Sequence, residues 1–97
     1  MTGHVFHPGH EELHGVTVVV EGNAGLTYVG RYHEQTPRGV LLHDVAVHDA
    51  GSSDHSVPSW LRRLAKFGIQ IDRKSAVVPL EELIRVVRLT DLLETLP

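Results

Sequence analysis

Ninety-seven residues with 41% hydrophobic and 22% charged side chains have an ordinary globular composition, which excludes a disordered chain and leaves room for one apolar core. The chain has no cysteine, so disulfide frameworks, thiolate metal sites and cysteine nucleophiles are excluded together. A formal charge of −3 argues against blanket electrostatic attraction to nucleic acid, although a local patch of the opposite sign is compatible with it.

The first fourteen residues carry His4, His7, His10 and His14 and the Pro8-Gly9 break. Glu11-Glu12-Leu13-His14 can make a short helical turn that Gly15 stops. From Val16 the run Val16-Thr17-Val18-Val19-Val20 is β-branched, with 16, 18 and 20 on one face, and predicts the first strand. Gly22-Asn23-Ala24-Gly25 is a turn signal. Leu26 to Glu34 follows as the second strand, with Leu26, Tyr28 and Tyr32 in alternation. Gly30 falls on that same face, where a missing side chain permits a bend or the close approach of another backbone.

Thr36-Pro37-Arg38-Gly39 makes the next turn, and Val40 to His48 predicts a third strand. Its alternation is imperfect. Leu41, Val45 and Val47 share a parity with His43, whereas Val40 and Leu42 share one with Asp44, so a bulge or a change of sheet is expected partway along. A polar loop over residues 50–57 leads to Pro58-Ser59 and a helix from Trp60 to Phe67, closed by Gly68. Trp60, Leu64 and Phe67 form one stripe expected to pack on the sheet, with Arg62, Arg63 and Lys66 largely off it.

Residues 79–88 satisfy two templates. As a helix they have a leading proline, acids in the first turn and apolar residues at 80, 83, 84 and 87. As strands they give Ser75 to Val78, a turn through Pro79 to Glu82, and the β-branched run from Ile84 to Leu89. The strand reading is preferred because the three preceding strands need partners to complete a sheet. Thr90 is expected to cap a short amphipathic tail, Asp91 to Leu96.

Several segments resemble the Sm-like (LSm and Hfq-type) small barrels. Leu13-His14-Gly15-Val16-Thr17-Val18 resembles the way that family begins its first strand, and Thr27-Tyr28-Val29-Gly30-Arg31-Tyr32 its second, with the bend at Gly30. Val40-Leu41-Leu42-His43-Asp44-Val45 is similar to the Leu-x-Leu-x-Asp-Ala close of the first Sm motif. Ala76-Val77-Val78 and Ile84-Arg85-Val86 would be the last two strands. The resemblance implies a mainly β fold: a five-stranded, strongly bent antiparallel small barrel over residues 1–97. It would have a short N-terminal helix, a loop-and-helix insertion over 51–70 between strands 3 and 4, and a short C-terminal helix. It also implies a ring-forming homo-oligomer joined through edge strands, with single-stranded RNA as partner. The family's uridine pocket is not matched, since Gln35-Thr36-Pro37-Arg38-Gly39 stands where an Asp and an Asn are usual and Pro79-Leu80 stands where Arg-Gly is usual.

His10-Glu11-Glu12-Leu13-His14 matches H-E-x-x-H, in which two histidines one turn apart grip zinc and the glutamate acts as base. The turn is too short for a metalloprotease scaffold, which leaves modest metal binding by His4, His7, His10 and His14, or solvated histidines, as the alternatives. His43-Asp44 and His48-Asp49 cannot act as dyads within a strand, where neighbours point to opposite faces. No phosphate loop or serine elbow is present, so no enzyme and no cofactor are predicted.

Acids dominate residues 1–58, where Arg31 and Arg38 are the only Lys or Arg residues, while Arg62, Arg63, Lys66, Arg73 and Lys74 face only Asp72 in the stretch that follows. Together with Arg38, these five cations are the candidate RNA contacts. A self-associating protein-interaction or scaffold module without RNA binding is the alternative. A domain of this size buries only about 60–65% of the surface that its unfolded chain exposes, which also favours a partner subunit. No apolar run approaches bilayer length and the first residues lack a secretion signal's pattern, so the expected location is cytoplasmic.

Overall fold

Five strands form one antiparallel sheet in the order β4-β3-β2-β1-β5 in this computed structural model, which describes residues 13–96. In chain order the elements are β1 (Thr17–Gly22), β2 (Leu26–Thr36), β3 (Gly39–Asp49), α1 (Val57–Phe67), β4 (Arg73–Pro79), a single 3-10 turn (Leu80–Glu82), β5 (Leu83–Arg88) and α2 (Leu89–Thr95). The ambiguous segment 79–88 is therefore not one helix: Pro79 ends β4, Leu80–Glu82 makes the tight turn and Leu83–Arg88 is a strand. Of the expected N-terminal helical turn only Leu13 and His14 are described, and Leu13 is buried in the core.

The sheet curls strongly. Laid flat, four inter-strand spacings would hold β4 and β5 at least about 19 Å apart. Four residue steps join Pro79 to Leu83, and they reach at most about 14 Å. The sheet must roll until its outer strands approach each other at that turn. Asn23 ties the turn down: its backbone N–H donates to the Glu82 carbonyl at 2.7 Å and its side-chain amide to that of Glu81 at 3.3 Å. The sheet is nevertheless not closed, because β4 pairs only with β3, and β5 only with β1.

Two glycines make the roll possible. Gly30 pairs with Val18, and a Cβ there would lie 3.0 Å from the His43 carbonyl oxygen and 3.2 Å from Val45. Opposite Gly30 the β2–β3 register slips, with Val29 facing Ala46 but Arg31 facing His43. This is the bulge that the parity conflict anticipated. Asp44 takes φ 54 within it, a left-handed conformation that Asp tolerates better than most residues. Its carboxylate is paired with Arg31, whose Nε donates to Oδ2 at 3.0 Å. Gly39, at φ 151, brings β3 so close to β4 that a Cβ would sit 2.0 Å from the Val78 carbonyl oxygen.

Because the bulge changes the parity of β3, Val40, Leu42 and Val45 all reach the inner face. There they pack with Val18, Val20, Tyr28, Tyr32 and Val78. The outer face buries Val19 and Val29 under Leu61 and Leu64 of α1, with Val87, Leu89, Leu92 and Leu93 packed against them. Val18, Val19 and Val20 are all fully buried, so β1 is covered on both faces. Each buried valine contributes roughly 1.5–2 kcal/mol of transfer free energy.

Candidate nucleic-acid interface

Helix α1 forms where the sequence supplies both ends. Ser56 caps it, its hydroxyl accepting from the Ser59 N–H at 3.2 Å, and Pro58 occupies the first turn, where no backbone donor is required. At the other end the Gly68 N–H donates to the Leu64 carbonyl at 2.9 Å. The helix lies on the outer face of the sheet through Leu61 and Leu64, and Trp60 is half-buried beside His48, with ring centroids 5.2 Å apart. His48 is buried, and its Nε2–H donates to the His55 carbonyl at 2.7 Å, which ties the loop ahead of α1 to β3.

Phe67 does not join this packing. It was expected on the buried stripe with Trp60 and Leu64, yet it is 69% exposed. A helix turns about 100° per residue, which sets Phe67 about 120° from Leu61, the most buried position. Two cations lie near the ring instead: the Arg63 guanidinium carbon is 5.7 Å and the Lys66 Nζ 5.3 Å from its centroid.

Beside Phe67 lies a cleft of about 290 Å³, lined by Val47, Trp60, Arg63, Phe67, Gln70 and Asp72, among others. Its lower wall is fixed by Asp72, whose N–H donates to the Val45 carbonyl at 2.8 Å and whose Oδ2 accepts from the Val47 N–H at 2.9 Å. These two bonds hold the strap from α1 to β4 against β3. Composition marked Asp72 only as an opposing charge, and nothing in the spacing reveals that its carboxylate serves as a backbone acceptor.

The six candidate cations do not form one patch. Arg63 and Lys66 meet at Phe67, and Arg62 is exposed on the same helix. Arg73 and Lys74 open β4; Arg73 pairs with Val45 and acts electrostatically on Tyr28, which belongs to the inner face. Arg38 sits in the β2–β3 turn, next to Gly39, which pairs with Pro79. Six residue steps along β3, from Gly39 to Val45, separate that pairing from the one at Arg73, a span of about 18–20 Å.

The histidines form a second grouping. His14 Nδ1–H donates to the His33 carbonyl at 2.7 Å, and the rings of His14, His33 and His43 succeed one another at centroid distances of 5.1 and 4.7 Å. Among the described residues no three His, Asp or Glu side chains form a group that could hold a metal ion. His4, His7 and His10, and with them most of the H-E-x-x-H motif, lie outside the described residues. Asp49 supports its loop, its carboxylate accepting from the Gly51 N–H at 2.9 Å. No helix among the described residues is long and apolar enough to cross a membrane. No family model matches the chain, and no curated protein does.

Proposed function

We propose that the chain is a non-enzymatic, self-associating β module of Sm-like type, whose copies join β4 of one to β5 of the next and which binds single-stranded RNA. The observation that carries this reading is a curled sheet with two open edges. Exposed edges are templates for another strand, and monomeric proteins blunt them with charges, prolines or bulges. Here the middle of β4 is Ser75-Ala76-Val77-Val78, with Val77 45% exposed, and β5 begins Leu83-Ile84, with Ile84 55% exposed. Arg85 of β5 is drawn back towards β1 by Glu21, at 2.6 Å. Joining two different edges is a head-to-tail contact, which generates a ring when the rotation closes. The curled five-strand sheet and the bulge opposite Gly30 support the resemblance that brings RNA as a partner, and the cations of α1 supply a place for it.

Sedimentation equilibrium tests the assembly. The native chain is expected to be an oligomer, and Val77→Lys combined with Ile84→Lys a monomer with an unchanged circular dichroism spectrum, since both side chains are exposed. A monomeric native chain would defeat the reading. Salt-dependent binding of oligouridylate tests the partner. Oligomers that ignore RNA at low salt would favour a scaffold module, for which the absent uridine-pocket residues already speak.

A further inference from the structure

We propose that the cleft at the end of α1 seats one unstacked base of single-stranded RNA, stacked on Phe67, with the adjoining phosphates on Arg63 and Lys66. The proposal rests on the RNA-binding reading and deepens it by assigning the contact to the inserted helix instead of the turns around Arg38 and Pro79.

An aromatic ring exposed at 69%, off the buried Leu61 and Leu64 side of its helix, has no role in the core. With cations 5.3 and 5.7 Å from its centroid, it pairs a stacking surface with positive charge, the combination that single strands require. The adjacent volume of about 290 Å³ lies at the lower limit of small-ligand pockets and suits one flat ring system. Its wall offers the Gln70 amide and the Asp72 carboxylate, groups that can meet the edge of a base, and Asp72 is already oriented by its bond to Val47. A bilayer suits the site less well. Leu61 and Leu64 are buried on the sheet side of the helix, Phe67 and Ile71 are the only exposed large apolar groups nearby among the described residues, and Gln70 and Asp72 would lose their water.

Trp60 lines the cleft and is the only tryptophan, so its emission reports occupancy directly. The full chain is titrated with oligouridylate, with oligoadenylate and with duplex RNA. Both single strands are expected to change Trp60 emission, and the duplex is not. Phe67→Ala is expected to weaken single-strand binding about tenfold or more and to remove most of the emission change, whereas Phe67→Trp preserves affinity. Arg63→Ala with Lys66→Ala is expected to lower the slope of log affinity against log salt by about 1.4. Because Phe67 is exposed, its variants should unfold at the native denaturant midpoint, which separates loss of the site from loss of fold. If the native chain binds RNA and Phe67→Ala binds it equally well, the base sits elsewhere and this proposal fails while the RNA reading stands. Absence of RNA binding by the native chain at low salt overturns both. Tighter binding to anionic vesicles or to polyglutamate than to the oligonucleotides overturns the assignment of the site to RNA.

Discussion

Gly39 and Gly30 govern how closely β3 approaches its neighbours, and their tolerances differ. At Gly39 an added Cβ would overlap the Val78 carbonyl, at 2.0 Å, in a backbone conformation that L side chains avoid. At Gly30 the tightest contact is 3.0 Å. Gly39→Ala is therefore expected to cost on the order of 3 kcal/mol or more, and Gly30→Ala about 1–2 kcal/mol, in urea unfolding. Tyr28 provides a pH test. Burial raises its phenol above the ordinary value of 10.0, the Glu82 charge adds to the rise, and Arg73 partly opposes it. The folded state thus holds this proton more tightly than the unfolded chain, so stability is complete below about pH 10 and falls as pH rises beyond it. Tyr28→Phe is expected to flatten that alkaline decline in unfolding midpoints measured from pH 9 upwards, and an unchanged decline would remove Tyr28 as its source.

At the scale of elements, α1 depends on its cap. Ser56→Ala is expected to destabilise the protein by about 1 kcal/mol, and Ser56→Asp to retain most of the native stability. Sequence patterns anticipate all five strands, the bend at Gly30 and the end of α1 at Gly68, because turn residues and β-branched runs act locally, whereas α1 starts at Val57 on a Ser56 cap, three residues before the expected Trp60. Three further features were not legible. The bulge was anticipated from parity, but its position rests on Asp44 adopting φ 54, which many residues near it in sequence could equally have invited. Phe67 was grouped with Trp60 and Leu64 because helical spacing alone does not choose which stripe faces the sheet; once Leu61 is at the centre, Phe67 falls at the margin. Thr90 was expected to cap the last helix, yet α2 begins at Leu89 with Arg88 at its N-cap and no side-chain cap bond, because Leu89 and Leu92 pack against the cluster that holds Val19 and Val29. As for the candidate site, the cations of α1 were legible, whereas the cleft was not, since it arises from bonds between Asp72 and β3 that join distant parts of the chain.

The whole molecule is organised by how far its sheet rolls. The short link between Pro79 and Leu83 forces the outer strands towards each other, while two separate edges still remain open. The self-association proposed above would let this chain of 10.7 kDa bury more surface by lending each open edge to another copy. Backbone amide exchange across β4 and β5, followed as protein concentration rises, tests this most directly. The amides of these strands that do not bond to β3 or β1 are expected to slow markedly with concentration. Exchange at both edges that stays as fast as in the 50–56 loop at every concentration would contradict the account.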